Sequence, residues 1–154
     1  MCNSYRLSNE SIWPAQIQDV NCAIRYLRAN ATDLGLDPDR IGVSGNSAGG
    51  HLSLMAAATN YDQIFEGEGG NNEVSSEIKA VCAIYPPTTI RQLEMVNPLE
   101  NAFLMLMGKE AKKEDYDKAS PLNYVTEDYP SCMLIHESTD SLLRIKDSTK
   151  FYQK

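Results

Sequence analysis

The pattern Gly45-x-Ser47-x-Gly49 constrains the fold of this chain more than any other feature of its sequence. It joins a short apolar run at residues 40–45 to an apolar segment at residues 48–58, which are typical of a strand and a helix. A serine in a tight turn between them needs neighbours with almost no side chain, and glycine provides that room. The pattern therefore predicts a strand, a strained turn at Ser47 and a helix, in that order.

Strand-like and helix-like segments alternate along the rest of the sequence. The strand-like runs are residues 5–8, 40–45, 78–85 and 132–136, and the helix-like patterns cover residues 14–30, 48–58, 99–107, 110–118 and 142–152. This alternation predicts an α/β fold with a mostly parallel sheet flanked by helices. We expect one domain over residues 1–154, with a lid-like connection at about residues 88–128 and an acidic, glycine-rich surface segment at residues 60–76.

The predicted turn at Ser47 suits nucleophilic catalysis. It would present the Ser47 hydroxyl outward, and the next helix would direct its unpaired N–H groups and positive dipole end at a developing oxyanion. The backbone N–H of Ala48 would be one donor to that oxyanion. Two other glycine-rich motifs do not fit, since a dinucleotide fingerprint needs glycine at position 47 and a phosphate loop needs Gly-Lys before the serine. A tight turn that merely contains a serine is the remaining structural alternative.

Composition excludes several classes of function. The net charge of −7, from 14 basic and 21 acidic residues, argues against nucleic acid or an anionic membrane surface as a partner. No apolar run approaches the roughly 20 residues that cross a bilayer, and the N-terminus has no apolar stretch typical of a secretory signal. The four cysteines form no CxxC pair, so no zinc or redox motif is present. We therefore expect a cytoplasmic protein with free thiols, of which Cys82 and Cys132 lie in buried strands.

Several stretches together resemble the acetyl esterase/lipase branch of the α/β-hydrolases, which includes esterases related to hormone-sensitive lipase and carbohydrate acetyl and feruloyl esterases. They read YRLS, WPAQIQDV, AIRYLRANA, GLDPDRIGVSGNSAGGHL, ASPLNYV and PSCMLIHESTD, and they extend over nearly the whole chain. The resemblance implies a partial α/β-hydrolase fold. It also implies hydrolysis of short acyl or carbohydrate-linked esters, without a metal or an organic cofactor.

The resemblance assigns roles by matching position. It implies that Ser47 is the nucleophile and that Asp140 is the acid of a Ser-Asp-His triad. Ala48 would contribute to the oxyanion hole, and Gly45 and Gly49 would be the glycines of the nucleophile elbow. The chain order of serine and then aspartate agrees with the order in this fold.

The resemblance also implies two parts that this sequence does not contain. A His-Gly-Gly segment upstream of the Tyr-Arg-Leu run would supply a second oxyanion donor, and the catalytic histidine would follow one more strand beyond the acid. We therefore expect the sequence to be the middle of an esterase, truncated at both ends. The family usually has glycine where Glu137 stands, which is a small departure close to Asp140.

Two histidines are present, and neither matches the catalytic position of the family. His51 falls in the first turn of the predicted elbow helix, where the positive dipole end disfavours an imidazolium and therefore a general base. His136 ends the strand before Asp140, which leaves a structural role and a catalytic role open. A glycosidase that uses Glu137 and Asp140 as paired carboxylates is conceivable, but nothing else in the sequence supports it.

The sequence thus favours a serine carboxylic-ester hydrolase that acts on a small-molecule ester. The alternative is a catalytically inactive, truncated remnant that serves as a structural or interaction module. The apolar run at residues 103–107 is expected to line an acyl pocket or to belong to the core. A sheet that lacks its outer strands would expose its edges, and such edges favour a homo-oligomer.

Overall fold

The computed structural model describes residues 1–59, 62–91 and 98–154. Its elements follow the chain in the order α1 (Ala15–Ala29), α2 (Ala31–Leu34), β1 (Gly42–Asn46), α3 (Ala48–Ala58), α4 (Gln63–Glu66), β2 (Ala80–Ile84), α5 (Pro98–Met107), α6 (Lys113–Lys118), a 3-10 turn (Pro121–Tyr124), β3 (Ser131–Ile135) and α7 (Ile145–Tyr152). The strands form one sheet in the order β1-β2-β3 with parallel pairing throughout. The predicted α/β class with a parallel sheet and flanking helices is confirmed.

The three strands end at the same level. The last register pairs place Asn46 opposite Ile84 and Ile84 opposite Ile135. Because the strands are parallel, their carboxyl ends meet at one edge of the sheet, and ligands of open α/β sheets bind at that edge. Residues that follow β1, β2 and β3 are therefore the candidates for a functional site.

One face of the sheet packs against helices. The apolar stripe of α1 is buried, as the spacing of Ile17, Val20 and Ile24 predicts. It shares a core with α3 and with the β2 residues Val81 and Ala83, which point to the same side of the sheet. This cluster fixes the position of β1 and of the helix that follows it.

The opposite face of the sheet is open over the described residues. Met133 and Ile135 of β3 are 60% and 47% exposed there, and Cys82 of β2 is half-buried. The prediction that Cys82 and Cys132 lie in buried strands is therefore wrong for Cys132, which is exposed because β3 is the outer strand of the described sheet. All four cysteines are free.

The acidic segment at residues 60–76 is only partly a surface segment, and its first two residues lie outside the described part. Arg25 of α1 is 1% exposed, donates to the Gly69 carbonyl at 3.1 Å and pairs with the Glu66 carboxylate. Phe65 is buried in the main core. A single arginine therefore anchors a loop whose composition alone predicts a solvated excursion.

Two other expectations have different outcomes. The strand predicted at residues 5–8 is absent, because the backbone N–H of Arg6 donates to Asp19 Oδ2 at 2.8 Å instead of joining a ladder. The lid-like connection at about residues 88–128 contains α5 and α6, but its residues 92–97 lie outside the described part, and its role stays a prediction. None of the helices in the described ranges combines the length and apolarity needed to span a bilayer.

Candidate active site at the carboxyl edge of the sheet

Ser47 sits in the turn between β1 and α3 with a strained backbone. Its φ of 51° and ψ of −118° lie in a region that residues other than glycine rarely adopt. Its N–H donates to the Ile84 carbonyl of the neighbouring strand at 2.9 Å, which ties the turn to β2. The predicted strand, strained turn and helix are confirmed, and the strain marks Ser47 as a functional candidate.

The glycines around Ser47 have unequal roles. A Cβ at Gly45 would lie 2.4 Å from the Gly49 carbonyl oxygen, so only glycine fits where β1 passes under α3. A Cβ at Gly50 would lie 3.1 Å from the carbonyl oxygens of Gly45 and Ile84, which is also tight. A Cβ at Gly49 would meet nothing within 4 Å. The close approach of strand and helix therefore depends on Gly45 and Gly50, and the motif alone does not identify Gly50.

The amino end of α3 offers a backbone donor beside Ser47. The first bond of the helix runs from the His51 N–H to the Ser47 carbonyl at 3.0 Å. It leaves the N–H of Ala48, the exposed first residue of α3, at the unpaired end of the helix. Unpaired N–H groups at a helix amino end attract negative charge, as an oxyanion donor must.

Asp140 lies five residues beyond β3, at the same edge of the sheet as Ser47. Its Oδ1 accepts the backbone N–H groups of Leu143 and Leu142, both at 2.8 Å. These two bonds lower the pKa of the Asp140 carboxyl, so the group is ionised at neutral pH. They also hold the chain in a turn, which is why α7 begins at residue 145 instead of 142.

His136 is held by other groups on both of its ring nitrogens. Nδ1 lies 2.8 Å from Ser148 Oγ, and Nε2 lies 2.6 Å from the Leu143 carbonyl oxygen. The distance from Nε2 to Asp140 Oδ2 is 3.6 Å, which is beyond a hydrogen bond. With both nitrogens engaged and the ring buried, His136 fits the structural role and is not available to Ser47.

His51 is likewise engaged away from Ser47. Its ring is 3% exposed, and Nε2 lies 2.7 Å from the Ala119 carbonyl oxygen. Burial lowers the pKa of His51 from 6.5 to about 4, so the ring is neutral at physiological pH. The ring also lies 5.6 Å from that of Trp13. His51 therefore links the elbow helix to the residue after α6 and does not act as a base.

The sequence does not predict the positions of two further residues at this edge. Tyr85 follows β2 directly and has a φ of 39°, and its hydroxyl accepts a hydrogen bond from Asn46 Nδ2 at 2.7 Å. Asn46 is the residue before Ser47. The only sequence signal was a bulky residue between a strand and the pair Pro86-Pro87, which does not reveal a positive φ.

A cavity of about 340 Å³ opens between the segment after β2 and the segment after Asp140. Its lining includes Pro86 and Thr88 on one side and Leu142 on the other. Phe103 of the predicted apolar run also lines the cavity, and it is buried together with Met107 in a second core cluster. The run at residues 103–107 therefore belongs to the core, and through Phe103 it also contributes to the cavity wall.

Comparison with known proteins decides the family. The BD-FAE family model matches residues 1–154, the whole of this sequence. The chain belongs to the BD-FAE family. A similar curated protein is the probable carboxylic ester hydrolase LipM of Mycobacterium tuberculosis, which is 31% identical over 153 residues covering 96% of this chain and 35% of LipM.

Solved structures agree with this assignment. A truncated form of a carbohydrate esterase from gut microbiota has a TM-score of 0.84 and 32% identity, over 97% of this chain and 58% of that one. An acetyl ester-xyloside bifunctional hydrolase from Caldicellulosiruptor lactoaceticus has a TM-score of 0.84 and 27% identity, over 97% of this chain and 53% of that one. The BD-FAE chain therefore spans about a third of the curated relative and a little over half of the solved ones. By family it is an α/β-hydrolase, and the curated relative that it matches is named a probable carboxylic ester hydrolase.

Proposed function

We propose that this BD-FAE chain carries the nucleophile, one oxyanion donor and the acid of a serine carboxylic-ester hydrolase. In this proposal the Ser47 hydroxyl attacks the ester carbonyl, and a histidine accepts its proton. The Ala48 N–H stabilises the tetrahedral oxyanion, and Asp140 orients that histidine. Short acyl esters, including esters on carbohydrates, are the substrate class, in agreement with what the solved relatives are named for.

The backbone of Ser47 carries the proposal. Ser47 has a φ of 51° at the amino end of a helix and is tied to the next strand. Such a strained backbone costs free energy, and it is found mainly at functional sites, as the presentation of a nucleophile requires. Asp140 supports the assignment because it is ionised and lies at the same edge of the sheet. The cavity of about 340 Å³ beside the Asp140 turn is where we place part of the ester, and residues 88–128 are the proposed lid.

One observation favours the alternative of an inactive module. Both histidines of the chain are bound elsewhere, His51 to Ala119 and His136 to Ser148 and Leu143. His136 cannot accept the proton of Ser47 without giving up its bond to Ser148, and burial makes the His51 ring a weak base. The 154 residues alone are therefore expected to react slowly at Ser47, with the oxyanion donor as the main source of assistance.

The experiment is site mapping with an alkyl fluorophosphonate. The wild-type chain is incubated with the reagent over hours at pH 8, and the labelled residue is identified by peptide mass spectrometry. We expect the label on Ser47 and its loss in Ser47→Ala. The matched control is Ser44→Ala, since Ser44 is an exposed serine in the regular part of β1. A label spread over several serines, or unchanged in Ser47→Ala, would refute the proposal.

A further inference from the structure

Tyr85 is a bulky residue in an unfavourable backbone conformation. Its φ is 39°, although it precedes Pro86 and the residue before a proline normally adopts an extended conformation with negative φ. Such strain persists only where surrounding contacts enforce it, and it concentrates at functional sites.

Two hydrogen bonds hold Tyr85 between its neighbouring strands. Its backbone N–H donates to the Ile135 carbonyl of β3 at 2.6 Å, and its hydroxyl oxygen accepts from Asn46 Nδ2 of β1 at 2.7 Å. One bond fixes the backbone and the other fixes the tip of the side chain. Tyr85 is thus oriented at both ends.

These bonds place Tyr85 beside the candidate nucleophile. Ser47 and Tyr85 each come one residue after the last register pair, Asn46 opposite Ile84. Neighbouring strands of a sheet lie about 4.8 Å apart. The two residues with positive φ at this edge are therefore direct neighbours, and Asn46 links them because it precedes one and binds the other.

The hydroxyl of Tyr85 keeps a free hydrogen. A phenol hydroxyl donates one hydrogen and can accept two hydrogen bonds. Asn46 uses it as an acceptor, and over residues 1–59, 62–91 and 98–154 no protein acceptor takes its hydrogen. Because the side chain is half-buried and held at its oxygen, this hydrogen is available to a ligand at the carboxyl edge.

We infer that Tyr85 binds the alcohol part of the ester by donating this hydrogen to a hydroxyl or ether oxygen next to the scissile ester. Asn46 is a positioning residue that acts through Tyr85. The inference rests on the proposed function and deepens it, because it names a residue that distinguishes esters by their alcohol part. Esters of hydroxylated alcohols gain this hydrogen bond, and simple aryl esters do not.

The test measures binding without turnover. In a Ser47→Ala background, NMR titrations give the Kd of methyl 2-O-acetyl-β-D-xylopyranoside and of phenyl acetate. Tyr85→Phe is expected to weaken binding of the xyloside about five- to tenfold, the effect of one hydrogen bond, and to change that of phenyl acetate less than about twofold. Tyr26→Phe, at an exposed tyrosine of α1, is the matched control and is expected to change neither.

Asn46→Ala keeps the inference falsifiable if Tyr85→Phe does not fold. In the protein that keeps Tyr85, Asn46→Ala should weaken xyloside binding by a smaller factor than Tyr85→Phe does. In the Tyr85→Phe protein it should have no effect, because Asn46 acts only through the phenol. The inference would be overturned if Tyr85→Phe bound the xyloside with the same Kd as the protein that keeps Tyr85, or if it lost affinity equally for both esters. It would also be overturned if the xyloside did not bind at all. The proposed function is tested separately, since a wild-type chain that the fluorophosphonate does not label at Ser47 refutes it regardless of these affinities.

Discussion

Replacing Gly45 by alanine tests the close approach of β1 and α3 that forms the turn at Ser47. The added Cβ would lie 2.4 Å from the Gly49 carbonyl oxygen and 2.5 Å from its carbonyl carbon, whereas ordinary contacts begin at about 3.4 Å. To remove this clash, the strand and the helix must move apart by about 1 Å. Both partners are backbone, so no side-chain rotation can provide it.

The expected destabilisation follows from that geometry. Overpacking of a core by one methyl group typically costs 1–3 kcal/mol, and we expect about 3 kcal/mol because the clash involves backbone on the helix side. For a chain of this length, that corresponds to a fall in Tm of roughly 6–12 °C. Exposure of Ser47 should change as well, since the turn moves with the helix.

Gly49→Ala is the matched control within the same motif. Its Cβ meets nothing within 4 Å, and alanine favours a helix over glycine by up to about 1 kcal/mol. Thermal and urea unfolding of the two variants and the wild type are followed by circular dichroism. Gly45→Ala should lower the stability relative to the wild type, and Gly49→Ala should raise it. The reasoning is refuted if Gly45→Ala melts within about 2 °C of the wild type, or if Gly49→Ala loses as much stability as Gly45→Ala.

Three further results are expected. Burial lowers the pKa of His51 from 6.5 to about 4, so the unfolded chain binds the proton more readily than the folded chain. The free energy of unfolding should therefore reach its highest value above pH 6.5 and fall by about 3 kcal/mol as the pH drops to 4. Urea midpoints measured across this range should show the fall, and His51→Asn should remove it. Arg25→Met should lower the free energy of unfolding by roughly 3 kcal/mol, because Glu66 loses its buried partner. It should also raise the rate of hydrogen exchange at Gly69, whereas the control Arg40→Met, at an exposed arginine, should not. An unchanged exchange rate in Arg25→Met would contradict the anchoring role. The open sheet face should drive self-association in analytical ultracentrifugation, which Met133→Lys should reduce, and a monomeric wild type at high concentration would contradict this.

The local parts of the site could be predicted from the sequence. The spacing of glycines around Ser47 predicts the strained turn, since few residue types tolerate that backbone. The parallel sheet follows from alternation, and it places the residues after β1 and β3 at one edge. These inferences need only short-range patterns and general rules of topology.

Other parts depend on contacts between distant segments. Tyr85 has a positive φ because Ile135 and Asn46, on two other strands, hold it, and no local pattern encodes both partners. The burial of Arg25 depends on carbonyl groups more than 40 residues away in sequence. The distinct roles of Gly45 and Gly49 become visible only when the helix is placed on the strand.

We propose that Ser47 is an esterase nucleophile for which neither His51 nor His136 acts as the base, and one measurement tests this directly. The measurement is p-nitrophenyl acetate hydrolysis by the wild-type chain and by Ser47→Ala, each with and without added imidazole. Imidazole also hydrolyses the ester directly, so Ser47→Ala provides the baseline. We expect equal rates for the two proteins without imidazole and a higher rate for the wild type with it, because the added base can serve Ser47. Ser47-dependent turnover without imidazole would contradict the claim about the histidines, and equal rates under both conditions would contradict the claim about Ser47.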